Sequence, residues 1–159
     1  PTPSALLATN INQASVGRAL DIACGNGRNS IFLANRGYTV DAIDISSVAI
    51  ERLFQQNPAI NAMCQDIDHF TPQTDCYDLI VNANFLDRRL FPLIEKGLKT
   101  GGLLVFESFA GKTTSMYCLG PNELLHAFTS LHVIFYAEKN LQDSEKFDTS
   151  VSFVAIKNA

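Results

Sequence analysis

The sequence predicts an α/β protein built on a doubly wound, mostly parallel sheet with helices on both faces. Two observations lead to this prediction: short apolar segments alternate with amphipathic ones along most of the chain, and turn residues separate them. Alternation at this pace is typical of parallel strands joined by crossover helices. The 159 residues, 47% of them apolar, suffice for one core, so we expect a single domain over residues 1–159.

The first half of the chain predicts the order strand, helix, strand, helix after a polar lead at residues 4–14 that is compatible with a helix. Gly25 ends the first strand, and Gly37 suits the left-handed cap of the first helix. Ser46 and Ser47 are both candidates for the N-cap of the next helix. The predicted bounds are residues 18–24 and 38–43 for the strands, and from 28 to 37 and from 46 or 47 to about 56 for the helices.

The second half continues the alternation and then changes. Its predicted elements are strands at 60–64, 77–83 and 103–109 and a helix at about 89–98. Beyond them we expect a helix at 122–128, a strand at 131–136 and, after a polar turn of about ten residues, a last strand at 150–156. The period-two alternation of this last segment predicts an antiparallel edge strand.

Composition and charge favour a small molecule as the main partner. The net charge is -4 and the chain has no run of Lys or Arg, which argues against nucleic acid or an anionic membrane. No segment approaches the ~20 apolar residues of a membrane span, and the N-terminus lacks a signal-peptide pattern, so we expect a cytoplasmic protein. The modest size favours a monomer or a weak homodimer.

Metal and disulfide sites are not indicated. The four cysteines are scattered and form no C-x-x-C pair. His69, His126 and His132 lie far apart and lack metal-binding spacing. We therefore expect reduced, mostly buried cysteines, structural histidines and no metal.

A candidate ligand site follows from the sheet, because ligands of open parallel sheets bind beyond the carboxyl ends of the strands. After the first strand, Gly25 and Gly27 permit a tight turn, and the next helix offers free N–H groups to a carboxylate or phosphate. An ordinary glycine-rich turn explains this loop equally well. The loop alone therefore leaves both interpretations open.

The next two strands end in groups that suit an adenosine. Asp44 follows the second strand, where a carboxylate can accept hydrogen bonds from both ribose hydroxyls. Asp66 and Ile67 follow the third, where they can take the adenine amino group and pack on the base. Taken singly, Asp44 is also explained as an acid at a helix start, and Asp66 as a solvated loop acid. The coincidence of suitable groups at three consecutive strand ends favours the ligand site.

The glycine pattern separates two classes of cofactor. A dinucleotide site requires a third glycine, but Ser30 occupies that position of G-x-G-x-x-G, so NAD is disfavoured. Asp21 lies within the first strand, where an unpaired buried carboxylate is costly, so it should hold a cation or loop amides. An acid together with helix N–H donors suits a zwitterionic aminoacyl group.

Five motifs in order resemble those of class I S-adenosylmethionine (SAM)-dependent methyltransferases, over residues 17–156. They are Asp21-Ile-Ala-Cys-Gly-Asn-Gly27, Asp44, Asp66-Ile67, Tyr77-Asp-Leu-Ile-Val81 and Leu98-Lys-Thr-Gly-Gly102. Within that superfamily, the segments 27–29, 84–88 and 121–125 resemble the group of tellurite-resistance TehB-type methyltransferases. The resemblance implies a Rossmann-like sheet of seven strands, the last of them antiparallel and inserted beside the fifth.

The resemblance also implies a set of cofactor contacts, with S-adenosylhomocysteine (SAH) as the product. The loop 23–27 would surround the methionine part of SAM, Asp44 would hold the ribose, and Asp66 with Ile67 would hold the adenine. Asn82 and its neighbours would face the methionine part and the transferable methyl. The predicted cofactor residues are Asp21, Ala23, Cys24, Gly25, Asn26, Gly27, Arg28, Asn29, Asp44, Ile45, Asp66, Ile67, Asn82 and Ala83.

The chain departs from the family pattern at two points. Thr100 replaces a common Pro before the double glycine, which a turn tolerates. Relatives carry an N-terminal segment that covers the cofactor, and little of it precedes Ser4. If that segment is needed to cover the cofactor, we expect the activity of this chain to be impaired.

An acceptor pocket is predicted near the ends of strands four and five and in the loop that follows. Its candidate residues are Asn84, Phe85, Arg88, Glu107 and Tyr117. Arg88 and the adjacent Arg89 are also typical of a solvated helix start, and Glu107 can face the pocket or pair with a cation. The loop 111–120, which carries Tyr117, has the length of a lid but also that of a plain connection.

Arg28 opposes the macrodipole in the first turn of its helix, so something should offset its charge. The carboxylate of SAM, an anionic acceptor, or an ion pair with Asp21 or Asp44 would each do so. An acceptor that is a soft anion, such as a metalloid oxyanion or a thiolate, would be attracted by Arg28 and Arg88. A neutral acceptor would use a base such as Glu107.

The predicted function is methyl transfer from SAM to a small-molecule acceptor by in-line displacement. An activated sulfonium needs alignment and water exclusion more than an acid or base, so no catalytic residue is assigned. Two alternatives stay open: a non-catalytic SAM-binding module that acts through a protein partner, and a NAD-dependent oxidoreductase. SAM binding without transfer would identify the first alternative, and tight NAD binding the second.

Overall fold

The computed structural model describes residues 2–111, 114–142, 147 and 149–159. These residues form strands and helices that alternate up to the fifth strand. The strands are β1 (Arg18–Ile22), β2 (Thr39–Asp44), β3 (Asn61–Cys64), β4 (Tyr77–Ala83), β5 (Leu98–Ala110), β6 (Leu131–Asn140) and β7 (Thr149–Lys157). The α-helices are α1 (Ala5–Asn10), α2 (Arg28–Asn35), α3 (Ser47–Gln56), α4 (Leu90–Gly97) and α5 (Glu123–Ala127), with short 3-10 helices at Ile11–Gln13 and Ile67–His69.

The strands form one sheet in the order β3-β2-β1-β4-β5-β7-β6. Neighbours among β1 to β5 are parallel, whereas β7 runs antiparallel to both β5 and β6. The predicted doubly wound, mostly parallel sheet is confirmed, as is the insertion of the last strand beside the fifth. The order reverses at β1, from which the chain goes first to β2 and later to β4, so a ligand crevice is expected beyond these carboxyl ends.

The edge position predicted for residues 150–156 is wrong. β7 lies inside the sheet, and β6 forms the edge. Phe153, Val154 and Ala155 of β7 are buried in succession, because both faces of the sheet are covered at this point. Period-two alternation indicates which face of a strand meets a core, but not which strands lie beside it. The exposed, charged end of β6 at Glu138–Asn140 is typical of a true edge.

Two apolar cores cover the two faces of the sheet. Alternate residues of β5 supply them: Leu104 and Phe106 face one core, and Leu103 and Val105 face the other. The first core contains four phenylalanine rings with centroids 5.3 to 6.3 Å apart: Phe91, Phe106, Phe128 and Phe153. Because both faces are covered, the carboxyl edge of the parallel strands is where a ligand can enter. No helix in the described part of the chain has the length and apolar character needed to cross a membrane.

A buried carboxylate joins four strands in the amino half of the sheet. Asp41 of β2 accepts hydrogen bonds from Arg18 Nε and Nη2 at 3.0 and 3.2 Å. It also accepts from the Tyr77 hydroxyl at 2.7 Å and from Asn61 Nδ2 at 3.0 Å. Burial, together with the bond to Asp41, raises the pKa of Tyr77. Asp41 thus ties β1, β3 and β4 to β2.

Candidate cofactor site

A cleft of about 380 Å³ opens at the carboxyl edge of the sheet, with walls from the segments that follow β1 to β4. Its lining residues are Ala23, Ile43, Asp44, Ile45, Gln65, Asp66, Ile67, Asp68, Phe85, Asp87 and Arg89. Six of them are predicted cofactor or acceptor residues, namely Ala23, Asp44, Ile45, Asp66, Ile67 and Phe85. The structure therefore brings the ends of four strands around one cavity.

The loop after β1 has a backbone suited to close approach. Ala23, Gly25 and Gly27 have φ angles of 53°, 55° and 78°, in the left-handed region. A Cβ atom at Gly27 would stand 2.4 Å from Leu53 Cδ1, so glycine is required there by both the φ angle and the contact with α3. Gly25 has open space at the same point. Its backbone is therefore accessible to a ligand.

Asp44 connects the loop after β1 to the start of α3. Its carboxylate accepts hydrogen bonds from the Gly25 N–H at 2.9 Å and from the Ser46 N–H at 2.8 Å. The Ser46 hydroxyl in turn caps α3 by accepting from the Ala49 N–H. Asp44 thus acts at a helix start and also lines the cleft, so the two interpretations of this residue are compatible.

Asp66 and Ile67 line the cleft where the chain leaves β3. Asp66 begins the short 3-10 helix and accepts a hydrogen bond from the Asp68 N–H at 3.0 Å. The Asp66 side chain is exposed, and Ile67 is half-buried. Ile45, 70% exposed, lies on the same cleft. Apolar side chains next to an exposed carboxylate suit a flat base that carries an amino group.

Asn82 carries an unpaired acceptor atom at the end of β4. Its Nδ2 donates to the Phe85 carbonyl at 2.7 Å, while its Oδ1 is buried without a hydrogen-bond partner among the described residues. Ala83 beside it is half-buried. An unsatisfied buried acceptor costs about 1–3 kcal/mol. A ligand with an N–H donor, such as the amino group of the methionine part of SAM, would satisfy this atom.

Ser30, which replaces the third glycine of the dinucleotide pattern, contacts the acid of β1. Its hydroxyl donates to the buried Asp21 carboxylate at 2.6 Å. Burial raises the pKa of Asp21 to about 6, although the Ser30 hydrogen bonds and the charge of Arg28 oppose the shift. The partner of Asp21 is thus a side chain of α2, in place of the expected cation or loop amides.

The raised pKa of Asp21 predicts a pH-dependent penalty on folding. The carboxyl ionises at 3.8 in the unfolded chain and at about 6 in the folded one. The penalty is therefore absent below pH 3.8, grows between the two values and is complete above pH 6, at about 3 kcal/mol. We expect Asp21→Asn to gain about 2 kcal/mol of unfolding free energy relative to the unsubstituted chain as the pH rises from about 4.5 to 7.5.

Urea unfolding at several pH values measures this gain, with Asp75→Asn as the control. Asp75 is largely exposed, with 67% of its side chain accessible, so its substitution changes the same group without the burial. A difference between Asp21→Asn and the unsubstituted chain that stays constant with pH would contradict the prediction.

Arg28 has no ion-pair partner in the described part of the chain. It is half-buried in the first turn of α2, and the ion pairs considered with Asp21 and Asp44 are not formed. Nearby in the loop, Cys24 is buried, and exposed Asn26 accepts from the Arg28 N–H at 3.3 Å. The Arg28 guanidinium is therefore available to a carboxylate.

The predicted acceptor residues do not gather at one point. Phe85 lines the cleft. Asn84 has a φ angle of 56° and donates its N–H to the Glu107 carbonyl at 2.8 Å. The Glu107 carboxylate accepts from Ser4 Oγ at 2.7 Å, next to α1. Tyr117 is 70% exposed on the turn after β5.

Two further predicted site residues bind other parts of the chain. Arg88 pairs with Glu123 of α5 at 2.6 Å and is therefore not a free cation for an anionic acceptor. Asn29 is buried, and its Oδ1 accepts from the Ser4 N–H at 2.8 Å. Two positions of the predicted lid at 111–120 lie outside the described residues, so its lid function stays a prediction.

Five cleft residues are not among the predicted cofactor or acceptor residues: Ile43, Gln65, Asp68, Asp87 and Arg89. Arg89 joins two of them, since its guanidinium binds Asp87 at 2.6 Å and Asp68 at 2.5 Å. These partners follow β4 and β3, the outer strands of the set β3-β2-β1-β4, so Arg89 connects two walls of the cleft. Gln65 and Asp68 flank the predicted pair Asp66-Ile67 in the sequence, and Asp87 lies shortly after β4. These positions in the sequence already indicate that the three residues border the cleft.

The fold and the cleft define a class of protein. The chain belongs to the methyltransferase domain family, which its residues 19–102 match. The predicted class, the SAM-dependent methyltransferases, is confirmed, and SAM is the cofactor of that class. The same comparison favours this class over the NAD-dependent oxidoreductase.

Within the family, the chain is similar to TehB of Haemophilus influenzae, a probable S-adenosyl-L-methionine-dependent methyltransferase. The two are 29% identical over 160 aligned residues, which cover 89% of this chain and 55% of TehB. The crystal structure of H. influenzae TehB superposes with a TM-score of 0.79 at 20% identity, over 96% of this chain and 61% of that chain. The predicted TehB-type resemblance is confirmed.

Two other relatives have related names. A ubiquinone biosynthesis O-methyltransferase of Coxiella burnetii is 33% identical over 98 residues, which cover 56% of this chain and 42% of the relative. The chain thus spans less than half the length of that protein. The N-methyltransferase NodS of Bradyrhizobium japonicum, in complex with SAH, has the same fold, with a TM-score of 0.77 at 23% identity over 97% of this chain and 84% of NodS.

Proposed function

We propose that the chain transfers a methyl group from SAM to a small-molecule acceptor by in-line displacement. The observation that supports this most is that predicted cofactor residues from the ends of β1, β2 and β3 line one cleft, together with Phe85, a predicted acceptor residue that follows β4. A single suitable group has an ordinary structural explanation, whereas groups from four neighbouring strand ends around one cavity suit a ligand with several parts, such as an adenosine joined to an amino acid.

The residues that would hold SAM follow from their contacts. Asp44 would accept from the ribose hydroxyls, since its carboxylate lines the cleft. Asp66 would accept from the adenine amino group, with Ile67 packed on the base. The unpaired Oδ1 of Asn82 suits the amino group of the methionine part, and the free guanidinium of Arg28 suits its carboxylate.

The chain's own part in the reaction is alignment and the exclusion of water. SAM, when bound, supplies a methyl on a positively charged sulfur, which leaves as a neutral thioether when a nucleophile attacks in line. The Glu107 carboxylate is held by Ser4, and the Arg88 guanidinium by Glu123, so neither is proposed as a proton acceptor or an anion binder. Phe85, on the cleft wall after β4, is proposed to shield the reacting end of the site from water.

The acceptor is proposed to be small because of the charge and the relatives of the chain. The net charge of -4, without any basic run, disfavours nucleic acid. The Coxiella relative takes its name from the biosynthesis of a small molecule, ubiquinone. Both points favour a small acceptor over a macromolecule.

Calorimetric titration of the purified chain with SAM, SAH and NAD tests the cofactor assignment. We expect SAM and SAH to bind and NAD to bind at least about a hundredfold more weakly, because Ser30, bonded to Asp21, occupies the position where the dinucleotide pattern has a third glycine for close packing of helix and strand. Circular dichroism serves as the control for folding. NAD binding tighter than SAM binding, in a folded chain, would overturn the assignment.

An acceptor panel tests the transfer itself. The chain is incubated with SAM and, in turn, tellurite, selenite, 2-mercaptoethanol and mercaptoacetate, and SAH formation is measured. At least one acceptor is expected to raise SAH formation above the rate without acceptor. SAM binding without transfer to any of them would support the non-catalytic alternative instead.

A further inference from the structure

The Arg88 guanidinium donates hydrogen bonds to two neighbouring parts of the chain. Its Nε and Nη2 donate to the two Glu123 carboxylate oxygens at 2.6 and 2.9 Å. Its Nη1 donates to the Ser115 carbonyl at 2.7 Å, and Nη2 also donates to the Cys118 carbonyl at 2.9 Å. A guanidinium has five N–H donors in a rigid fork, so these four contacts fix its orientation.

The partners of Arg88 belong to one turn and the helix that follows it. We call residues 114–120 the β5 turn. Ser115 and Cys118 close it with reciprocal backbone hydrogen bonds at 3.2 and 3.4 Å. Glu123 accepts from the Gly120 N–H at 3.0 Å, so the carboxylate that binds Arg88 also binds the end of the turn. Arg88 thus joins the segment after β4 to the β5 turn and to α5.

The β5 turn forms part of a second cavity, next to the cofactor cleft. This cavity of about 250 Å³ is lined by Leu86, Asp87, Arg88, Arg89 and Met116. Asp87 and Arg89 also line the cofactor cleft, so the two cavities adjoin. Met116 is 68% exposed and lines this cavity together with Leu86. The cavity therefore has apolar side chains in its lining and lies beside the cofactor cleft.

The charge of Arg88 is balanced inside this arrangement. The Arg88 hydrogen bond holds the pKa of Glu123 below its usual range, so the pair is ionised at neutral pH. A bidentate arginine–carboxylate pair is geometrically specific, and substitution by lysine does not preserve it. An anionic acceptor would have to compete with the Glu123 carboxylate for the same donors.

We propose that Arg88 is a positioning residue of the acceptor site, which holds the β5 turn so that Met116 and Leu86 line the cavity where the acceptor binds, and that it does not bind the acceptor itself. The proposal rests on the proposed methyl transfer. It assigns the acceptor to the cavity beside the cofactor cleft and gives Arg88 the same role for neutral and anionic acceptors.

Two variants separate positioning from anion binding. Arg88→Lys keeps the positive charge but loses the fork, and Glu123→Gln removes the charge that balances Arg88. Positioning predicts that both variants lower kcat/KM by about tenfold or more, with the loss mainly in acceptor KM, for every active acceptor in the panel. It also predicts an unchanged SAM affinity, because none of the Arg88 contacts is with a predicted cofactor residue. Arg52→Lys and Glu51→Gln on exposed positions of α3 are the matched controls.

Hydrogen exchange tests the hold on the β5 turn without any ligand. The amides of Ser115 and Cys118 bond to the two carbonyls that Arg88 binds, so their exchange should accelerate by about tenfold in both variants and stay unchanged in the controls. Unchanged exchange in both variants would overturn the proposal. So would a Glu123→Gln chain that methylates mercaptoacetate or tellurite faster than the unsubstituted chain, because Arg88 would then bind the anion once released. Failure of the unsubstituted chain to bind SAM would instead contradict the proposed function, while the exchange result still decides the hold on the turn.

Discussion

Replacing Asp44 with alanine should weaken SAM binding by more than about a hundredfold. Hydrogen bonds to a charged group contribute about 1.5–3 kcal/mol each, so loss of two ribose contacts removes about 3 kcal/mol or more of binding free energy. The same substitution frees the Gly25 and Ser46 N–H groups, which the carboxylate holds at 2.9 and 2.8 Å. The substitution would therefore release the loop after β1 in addition to removing the ribose contacts. Calorimetric titration with SAM and SAH measures the effect.

Two further variants show where the loss of affinity arises. Asp75→Ala removes one exposed carboxylate outside the cleft and should leave SAM binding unchanged. Asp44→Asn keeps one oxygen acceptor and should bind with intermediate affinity. If Asp44→Ala is folded and binds SAM as tightly as the unsubstituted chain, Asp44 does not hold the cofactor and the assignment of the cleft is wrong.

Replacing Asp41 with alanine should lower the free energy of unfolding by about 3 kcal/mol or more. The substitution leaves the Tyr77 hydroxyl and the Asn61 amide without their partner, and the Arg18 fork without its carboxylate. Breaking one side of a buried ionic and hydrogen-bonded group is among the costliest single changes in a core. For a chain of this size we expect a fall in the midpoint of thermal unfolding of about 6–12 °C.

Asp75→Asn is the matched control for this prediction, because asparagine tolerates the φ angle of 50° at this position. Asp75 is exposed and pairs with Lys157 at 3.2 Å, so its loss should change the unfolding free energy by less than about 1 kcal/mol. Asp41→Asn should fall between the two, because it retains one acceptor oxygen. Equal stabilities of the Asp41→Ala and Asp75→Asn chains would mean that the four-strand connection contributes little.

The parallel arrangement of the first five strands could be predicted because it depends on local patterns. Each parallel strand is an apolar segment followed by a helix. Right-handed crossover connections then place such strands in one parallel sheet. The place of β7 could not be predicted in the same way. Its neighbours, β5 and β6, are chosen by pairing over long distances in sequence, while the alternation in residues 150–156 describes only its faces.

The cofactor side of the site was more predictable than the acceptor side for a related reason. Asp44 and Asp66 follow parallel strands, so the topology alone brings them to one edge. Arg88 and Glu107 instead find partners 35 and 103 residues away, in Glu123 and Ser4. Such pairings depend on how loops pack, which no local pattern contains. The sequence therefore indicates Arg88 and Glu107 as polar groups near the ends of strands but not the partners that they bind.

Ser4 connects the first helix to the start of α2 by hydrogen bonds. Its N–H donates to Asn29, its hydroxyl donates to Glu107, and the same hydroxyl accepts from the Leu7 N–H that begins α1. If α1 detached, the buried Asn29 oxygen would lose its donor one residue after Arg28, within the segment that surrounds the proposed cofactor. We therefore expect α1 and the start of α2 to open together. A disturbance at the beginning of the chain would then reach the loop after β1 through the hydrogen bond between Ser4 and the Asn29 side chain.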